Sequence, residues 1–286
     1  MSEQKMNHVY LKLKDYSVSG KNFRLVTNLE YGFLETRPKP SFEELPDYYK
    51  SEDYISHTDS KRNLFEKVYH VVRVFSLRKK TGIINSYGSG GKHLLDFGCG
   101  TGDFLQTAKQ QGWTVVGVEP NTDARTLANV KTDNAVFDSD YLLTCEACTF
   151  DVITLWHVLE HLPNLEKDIT LLKSLLKPNG ILVVAVPNYK SYDAQYYKNF
   201  WAAYDVPRHL WHFNQKSISR LVLKQGLRVV RTKPMLFDAF YVSMLSEKYK
   251  TGKMNILKAV WVGLVSNLKS FITKEASSII YIIKNN

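Results

Sequence analysis

Apolar residues in the central part of the chain form short continuous runs that alternate with amphipathic stretches. Between the runs, apolar positions recur at helical spacing, as in Asp103 to Gln111, a stretch that Gly112 would end. The runs predict strands near residues 94–97, 114–119, 134–137, 151–155, 181–186, 228–234 and 278–283. Regular alternation of strands and helices predicts an α/β fold with a doubly wound, seven-stranded and mostly parallel sheet.

The first 58 residues have a different pattern, in which short apolar and polar pieces alternate between turns such as Ser19-Gly20. This pattern predicts a small β-rich N-terminal lobe, residues 1–58, followed by one domain over residues 59–286. A helix is expected over Asp59 to Ile84. The apolar stripe expected to pack this helix on the sheet comprises Leu64, Val68, Val71, Val72 and Phe75.

About forty residues separate the last two predicted strands, and residues 239–273 within them are predicted to be a helical insert. The residues that share its apolar face, with lysines beside it, are Met254, Leu257, Trp261, Leu264, Val265, Leu268 and Ile272. Three interpretations stay open for the insert: a lid over a ligand, a contact with a membrane surface or another subunit through residues 254–272, or ordinary helices packed on the core.

Composition limits the class of protein. The chain has 286 residues, 44% of them hydrophobic, which is enough for a full three-layer core. Three cysteines, an odd number, favour a reducing compartment, and the first residues show no signal peptide. The stretch from Ile256 to Val265 is short and contains Lys258, so no membrane span is expected. The net charge of +10 is compatible with an anionic partner or surface.

The segment HLLDFGCGTGDF carries the strongest chemical signal. A strand ends at Asp96 and runs into Gly98, Gly100 and Gly102, which allow a tight turn and close approach of the backbone to a ligand. Glu119 ends the next apolar run and is placed to accept hydrogen bonds from ribose hydroxyls. Asp103 occupies the position where a dinucleotide-binding loop has its third glycine, and its charge would repel a pyrophosphate. The site therefore favours a cationic ligand that carries a ribose.

At these residues the chain resembles the class I S-adenosylmethionine-dependent methyltransferases, whose first motif is an acid followed by GxGxG and whose second is an acid that ends the next strand. FDVITLWHVLEHL and LLKPNGILVVAVPN resemble the family's fourth and fifth strands with their turns, so the likeness covers roughly residues 90–190. WAAYDVPRHLWHF and LFDAFYVSMLSEKY resemble a bacterial group in which the N-terminal lobe often carries a zinc ribbon. That lobe has no cysteine pair here, and Asn28 to Tyr31 stands where one is expected, so no metal site is predicted.

The resemblance implies a Rossmann-like fold, S-adenosylmethionine as cofactor and S-adenosylhomocysteine as product. The residues implied to bind the cofactor are Asp96, Gly98, Cys99, Gly100, Gly102, Glu119, Pro120, Trp156 and His157. For a hydroxyl or amine acceptor a general base is useful, and histidine is the usual choice. His209 is the preferred candidate because its loop follows the fifth strand of the family's sheet, and His157 is the second. Structural or capping roles stay open for both, and for His161 and His212.

Two functions are compatible with these observations. The first is a methyltransferase that acts on a small-molecule, lipid-like or glycan acceptor. The second is a cofactor-binding domain that mainly docks on a membrane or RNA through its basic insert. A dehydrogenase is a weaker alternative, and Asp103 counts against it. Nucleic-acid methylation is not favoured, because Leu155-Trp156-His157-Val158 stands where amino-methylating enzymes have an Asp/Asn-Pro-Pro-aromatic turn. A cytoplasmic location, with peripheral membrane contact as an open alternative, is expected.

Overall fold

The computed structural model describes residues 8–41, 43–49, 64–87 and 91–286. The strands are β1 Val9–Lys14, β2 Asn22–Thr27, β3 Leu34–Arg37, β4 His93–Phe97, β5 Thr114–Val118, β6 Val136–Phe137, β7 Phe150–Trp156, β8 Leu176–Pro187, β9 Trp211–His212, β10 Leu227–Pro234 and β11 Ser278–Asn285. The α-helices are α1 Leu64–Asn85, α2 Asp103–Gln110, α3 Thr122–Thr132, α4 Leu165–Leu175, α5 Tyr192–Tyr197, α6 Gln215–Lys224, α7 Asp238–Thr251 and α8 Ile256–Thr273.

The main sheet contains all seven predicted strands, in the order β10-β11-β8-β7-β4-β5-β6. The pairs from β8 to β6 are parallel, and β11 is antiparallel to both β8 and β10. The predicted mostly parallel, Rossmann-like sheet is therefore confirmed. The chain goes from β4 outwards to β5 and β6 on one side and then returns to β7 on the other side of β4. A crevice opens at the carboxyl end of a strand where the order reverses in this way, and ligands bind there in sheets of this type.

Two buried clusters cover the two faces of this sheet, as expected for strands that read as continuous apolar runs. Leu95, Ile153 and Leu182 belong to the cluster on one face, and Leu94, Val152 and Val183 belong to the cluster on the other. All six side chains are at most 2% exposed. Successive residues of each strand alternate between the two clusters, as the two-residue period of a strand requires.

A second, antiparallel sheet has the order β1-β2-β3-β9. Its first three strands come from the N-terminal region, whereas β9 comes from the segment after α5 and pairs with β3. The β-rich nature of the N-terminal region is thus observed for residues 9–37. The predicted boundary at residue 58 lies outside the described residues, so the division into two domains stays a prediction.

The C-terminal turns of helix α1 pack on the sheet, where Ile83 and Ile84 are at most 2% exposed. The prediction that Phe75 packs on the sheet was wrong, because this side chain is 54% exposed and contacts the ring of Phe237 instead. Of the rest of that stripe, Val72 is partly buried, and the side chains of Leu64, Val68 and Val71 lie outside the described part of the chain.

Helices α7 and α8 form a helical hairpin over Asp238–Thr273, which agrees with the predicted helical insert. The predicted apolar face, however, is exposed: Leu257 is 86% and Ile272 85% accessible. The opposite face is buried through small or polar residues such as Gly263, whose missing side chain lets the backbone of Phe240 approach closely. Close approach of two helices selects small residues for the contact, so the large side chains are turned outwards. Helix α8 therefore packs on the fold through residues such as Gly263 and Ser266, while most of the large apolar residues point outwards.

Among the described residues, one helix, α8, is long and apolar enough to cross a membrane by length and composition. The apolar stretch noted in the sequence ends at Val265, whereas the helix continues to Thr273. One third of α8 is buried inside the fold.

Candidate active site

The glycine loop between β4 and α2 adopts backbone angles that favour glycine at three positions. Gly98, Gly100 and Gly102 have φ values of 75°, 54° and 79°. A side chain at Gly98 would overlap Val158, and one at Gly102 would overlap the backbone of Ala128. At Gly100, in contrast, nothing lies within 4 Å of the position a side chain would take. Two glycines therefore allow close packing, and the third faces open space.

The carboxylate of Glu119 lies directly against this loop. Its Oε2 accepts a hydrogen bond from the Gly100 N–H at 2.9 Å, and its Oε1 accepts one from the Asn121 N–H at 2.9 Å. The exposed Pro120 follows, and its carbonyl accepts a bond from Arg125 at 3.1 Å. These bonds place the carboxylate at the rim of the space beside Gly100, where free lone pairs can accept further hydrogen bonds.

Asp96 lies at the end of β4 beneath the loop and is only 2% exposed. Its Oδ1 accepts a hydrogen bond from the Thr154 hydroxyl at 2.6 Å. Burial raises the pKa of Asp96 to about 7, although Thr154 and the positive charge of Lys80 oppose this effect. Asp96 is thus a buried acid that is only half ionised near neutral pH, and a cationic ligand would favour its charged form.

Lys80, on α1, reaches the same place from the opposite side. Its Nζ lies 4.5 Å from the centre of the Trp156 ring. Burial lowers the pKa of Lys80, while the carboxylates of Asp96 and Asp238 act in the opposite direction. Trp156 is buried, and its Nε1 has no hydrogen-bond partner among the described residues. The end of β7 therefore presents an unsatisfied donor beside a cation, and Lys80 was not anticipated from the sequence.

His157 follows β7 in a left-handed conformation, with φ of 59°. Its Nε2 lies 3.1 Å from Asp238 Oδ2, and its Nδ1 lies 3.4 Å from Glu160 Oε1. Burial disfavours the charged ring, but the two carboxylates outweigh burial and raise the pKa of His157 to about 9. His157 is therefore an imidazolium near neutral pH, and both of its nitrogens face acids.

Asp103 does not present a free negative charge to the loop. Its carboxylate pairs with Arg73 and, at 2.9 Å, with Lys131. Burial raises the pKa of Asp103, but these two cations outweigh it and the net effect is a lowered value. The two ion pairs neutralise the charge that was expected to repel a phosphate, so Asp103 alone no longer argues against a dinucleotide. Cys99, in the same loop, packs against Gly117, and burial raises the pKa of its thiol.

An open cleft of about 450 Å³ lies along the end of β6, and one of its lining residues, Arg125, donates a hydrogen bond to the Glu119 carbonyl at 2.6 Å. Phe137 and Tyr141 form one wall with rings stacked 3.9 Å apart, and Asp138 lies beside them. The Phe137 carbonyl also accepts a hydrogen bond from the Glu119 N–H at 2.9 Å. These residues were not among the predicted site residues. The sequence AVFDSD indicates these residues, because Asp138 directly follows a short apolar strand. Asp96 and Glu119 occupy similar positions at the ends of their strands.

His209 lies deeper, between the main sheet and the antiparallel sheet, and is 9% exposed. Its Nδ1 lies 2.9 Å from the carbonyl of Ala203, and its Nε2 lies 3.9 Å from Asp205. The next residue back, Arg208, binds Asp205 and the carbonyl of Tyr48. The hydroxyl of Thr36, in β3, donates to the His209 carbonyl at 2.6 Å and so joins this loop to the antiparallel sheet.

Glu160 connects the two candidate histidines. One carboxylate oxygen lies 3.4 Å from His157, and ligand atoms of Glu160, His161 and His209 all lie within 4.8 Å of one another. Burial lowers the pKa of His161 to about 4. Neither oxygen of Glu160, which is 1% exposed, has a hydrogen-bond donor among the described residues. These three residues could offer ligands to a metal ion, so the predicted absence of a metal stays a prediction.

The residues assembled at the carboxyl ends of β4 to β7 fit S-adenosylmethionine in charge and in shape. Gly100 leaves an open cradle, Glu119 offers carboxylate oxygens to hydroxyls, and Asp96 can face an ammonium group. The unsatisfied Trp156 N–H marks a buried position that a polar ligand atom could occupy. The structure brings together Asp96, the three glycines, Glu119, Trp156 and His157, whereas His209 reaches this group only through Glu160.

Comparison with known proteins identifies the family. The model of the methyltransferase domain family matches residues 61–232, more than half of the chain. The chain therefore belongs to the methyltransferase domain family, and its fold is that of solved S-adenosylmethionine-dependent methyltransferases.

Curated relatives and solved structures agree with this assignment. The ubiquinone biosynthesis O-methyltransferase of Actinobacillus pleuropneumoniae serotype 5b is 34% identical over 109 residues, which cover 34% of this chain and 47% of that protein. The enzyme of the same name from Coxiella burnetii is 32% identical over 110 residues, 36% of this chain and 47% of the relative. The chain thus spans about half the length of the curated relatives it matches.

Among solved structures, magnesium protoporphyrin IX methyltransferase from Synechocystis PCC 6803, with S-adenosylhomocysteine bound, superimposes with a TM-score of 0.57. The identity is 15%, and the match covers 86% of this chain and 100% of that one. A methyltransferase from Archaeoglobus fulgidus has a TM-score of 0.52 at 19% identity, over 78% of this chain and 100% of that one. At this level of identity, the structural similarity shows that the fold is shared.

Proposed function

We propose that this chain transfers a methyl group from S-adenosylmethionine to a hydroxyl of a small acceptor with an apolar, lipid-like body. The observation that carries the proposal is the Glu119 carboxylate bound to the Gly100 N–H beside an open cradle. Family membership supports the reaction class, and the name of the curated relatives supports an oxygen acceptor. A glycan acceptor is the second candidate, because a sugar also presents hydroxyls.

In this proposal each part of the cofactor has its own partners. Glu119 binds the ribose hydroxyls, and the cleft at Phe137 and Asp138 takes the adenine, because it is the next opening along the sheet edge. Asp96 and Lys80 face the amino-acid end, where a zwitterion can pair its ammonium with the acid and its carboxylate with the lysine.

The role of Lys80 is testable with two ligands. Methylthioadenosine shares the nucleoside of S-adenosylhomocysteine but lacks the amino-acid end. Lys80→Met should weaken S-adenosylhomocysteine at least about tenfold, the size expected for a lost charged hydrogen bond, and leave methylthioadenosine unchanged. Equal weakening of both ligands would place Lys80 away from the carboxylate.

S-adenosylmethionine supplies a methyl group bound to a positively charged sulfur, so the protein must chiefly align the acceptor and exclude water. Alignment of two reactants supplies roughly 7 to 11 kcal/mol of a barrier. His157 is not suited to accept the proton of the hydroxyl, since it is already charged between Asp238 and Glu160. In our proposal His157 positions the start of the helical hairpin. His209 accepts the proton of the acceptor hydroxyl.

The acceptor would lie between the segment Ser191 to Phe213 and the helical hairpin. These two elements contact each other: the Ala202 N–H donates to Ser246 Oγ at 2.9 Å, and Tyr196 and Trp261 have ring centres 6.5 Å apart. Three aromatic residues of the first segment, Tyr197, Trp201 and Tyr204, are buried in a cluster with residues of the antiparallel sheet. Tyr192 and Tyr196 are only partly buried and remain candidates for the wall.

Release of S-adenosylhomocysteine in the presence of defined acceptors tests the proposal. A prenylated catechol should support turnover, a soluble oligosaccharide should not, and Glu119→Ala should abolish turnover at limiting cofactor. Turnover with the oligosaccharide alone would favour a glycan acceptor. Cofactor binding without turnover of either class would contradict the proposal and favour a docking module, an alternative that the comparisons do not support.

A further inference from the structure

The helical hairpin carries a continuous apolar surface that nothing in the described structure covers. We call it the outer face of α8; it consists of Ile256, Leu257, Val260, Trp261, Leu264, Leu268, Phe271 and Ile272, which are between 45% and 86% exposed. It runs the length of an 18-residue helix, about 27 Å. Scattered exposed apolar residues are normal, but a contiguous surface of this kind marks an interaction site.

The charges around this face have one sign. Apart from Lys248, the hairpin and its C-terminal cap carry five lysines: Lys250, Lys253, Lys258, Lys269 and Lys274. The two acids within Asp238–Lys274 do not balance them at the surface. Glu247 is completely buried, and Asp238 pairs with His157. The next acid, Glu275, accepts a hydrogen bond from Asn188. The exposed charges of the hairpin are therefore positive, which complements an anionic surface.

Trp261 gives the face the character of a membrane interface. It is 53% exposed, whereas Trp113, Trp156, Trp201 and Trp211 are all at most 9% exposed. Tryptophan favours the level of lipid headgroups because its ring is apolar and its N–H is polar. A helix with an apolar face, flanking lysines and an interfacial tryptophan has the properties of helices that lie in the plane of a bilayer.

We propose that the outer face of α8 docks the protein on a bilayer that contains anionic lipid, with the helix parallel to the membrane surface. A spanning arrangement does not fit, because the opposite face is fixed to the fold: Ser266 Oγ donates to the buried Asp193 at 2.6 Å, and Gly263 packs closely on Phe240. A second copy of the chain fits less well than a bilayer, because a symmetric pair would bring the lysine rims together.

The docked face lies on the side of the molecule that carries the candidate site. Helix α8 packs on α5, which follows the carboxyl end of β8, and the first residue of α7, Asp238, holds His157. Docking would therefore bring the region between α5 and the helical hairpin close to the lipid. The docking proposal does not depend on the identity of the acceptor, because it rests on the surface alone.

Co-sedimentation with vesicles tests the proposal with the full chain. We expect binding to vesicles of phosphatidylcholine with phosphatidylglycerol, weaker binding in high salt, and little binding to phosphatidylcholine alone. The double variant Leu257→Ser/Ile272→Ser should lose at least tenfold in partitioning. The matched control Val130→Ser/Leu143→Ser removes two apolar residues that are 81% and 74% exposed elsewhere, and it should bind like the wild type. Lys253→Gln should weaken binding about fivefold, the effect of one surface lysine near anionic lipid.

Fluorescence provides the second measurement. Vesicles should shift the emission of the wild type to shorter wavelength, and Trp261→Phe should remove this shift. We expect all variants to keep the melting temperature and the S-adenosylhomocysteine affinity of the wild type. A loss of vesicle binding is then a defect in docking, and not in folding or cofactor binding. Absence of vesicle binding would overturn the proposal. A dimer of the wild type in ultracentrifugation would also overturn the proposal if the Leu257→Ser/Ile272→Ser variant were a monomer. In that case a second copy of the chain would occupy the outer face of α8.

Discussion

The imidazole of His157 binds the carboxylate of Asp238 at 3.1 Å, Nε2 to Oδ2, and this contact joins the turn after β7 to the first residue of the helical hairpin. The two residues are 81 positions apart in the sequence. The pair connects the edge of the candidate cofactor site to the element that we propose contacts lipid. Its strength depends on pH, which makes the connection measurable.

The first prediction concerns the pH dependence of stability. Because the pKa of His157 is raised from 6.5 to about 9, its ion pairs stabilise the fold fully below pH 6.5, and this contribution is lost as pH rises through 9. Asp238→Asn should therefore lower the melting temperature at pH 6.5 by about 2 to 4 °C, the shift for a partly screened pair worth about 1 kcal/mol. The difference from wild type should shrink at pH 10. Thermal scans of wild type and Asp238→Asn at pH 6.5 and pH 10 measure the two melting temperatures, and Glu146→Gln, at an exposed position, is the control. An equal loss of melting temperature at both pH values would contradict the prediction.

The second prediction concerns the pH dependence of cofactor binding. Burial raises the pKa of Asp96 to about 7, and only the ionised carboxylate can pair with the ammonium of the cofactor. The ionised fraction rises about tenfold from pH 6 to pH 8, so affinity for S-adenosylhomocysteine should rise by about the same factor. Calorimetry at three pH values measures it, and Asp96→Asn should remove the dependence. A wild-type affinity that is flat over this range would rule out Asp96 as the ammonium partner.

The third prediction concerns Glu119. Replacing it with alanine removes the acceptor of the Gly100 N–H and, in our proposal, of two ribose hydroxyls. Each hydrogen bond to a charged acceptor contributes about 1.5 to 3 kcal/mol, so affinity for S-adenosylhomocysteine should fall at least about tenfold. Glu146→Ala serves as the matched surface control. Unchanged affinity in the Glu119 variant would show that this residue does not contact the ribose.

The fourth prediction separates two glycines of the same loop. Gly100→Ala places a methyl group in open space, so it should weaken cofactor binding with little loss of stability beyond the roughly 1 to 2 kcal/mol of a left-handed alanine. Gly102→Ala has the same backbone cost, and its Cβ would lie 2.9 Å from the Ala128 backbone, so it should destabilise the fold more. Melting curves and binding isotherms of the two variants distinguish these effects. The reverse order of stabilities would mean that the open space at Gly100 is not the cofactor cradle.

The fifth prediction concerns His209. If this ring accepts the proton of the hydroxyl, His209→Ala should lower turnover about 10²- to 10⁴-fold while cofactor affinity stays nearly unchanged. His212→Ala, three residues further along in β9, is the comparison, since His212 is 4% exposed and its ring lies 3.0 Å from the Thr36 hydroxyl. Both variants should lose stability, but only the His209 variant should lose turnover per folded molecule. Equal turnover in the two would assign His209 a structural role.

The order of elements and the cofactor-binding edge could be predicted from the sequence alone. All seven strands of the main sheet occur within a few residues of their predicted positions, because most of them are continuous apolar runs bounded by turn residues. The glycine loop was recognisable for a similar reason. Backbone conformations such as that of Gly100 are open to few residue types, so local chemistry and local structure coincide.

Contacts between distant segments were decided only by the tertiary structure. The pairing of Asp238 with His157, the arrival of Lys80 above Trp156 and the neutralisation of Asp103 by Arg73 and Lys131 each join separate elements. Side-chain spacing along one element contains no information about such partners.

The helical hairpin shows the difference most clearly. The apolar spacing of α8 is visible in the sequence, but it left open whether this face is buried or exposed, because a helix can bury either its large or its small residues. Close packing against α7 required the small face with Gly263, and this turned Leu257 and Trp261 outwards. Periodicity thus determined that a face exists, and the geometry of helix packing decided which way it points.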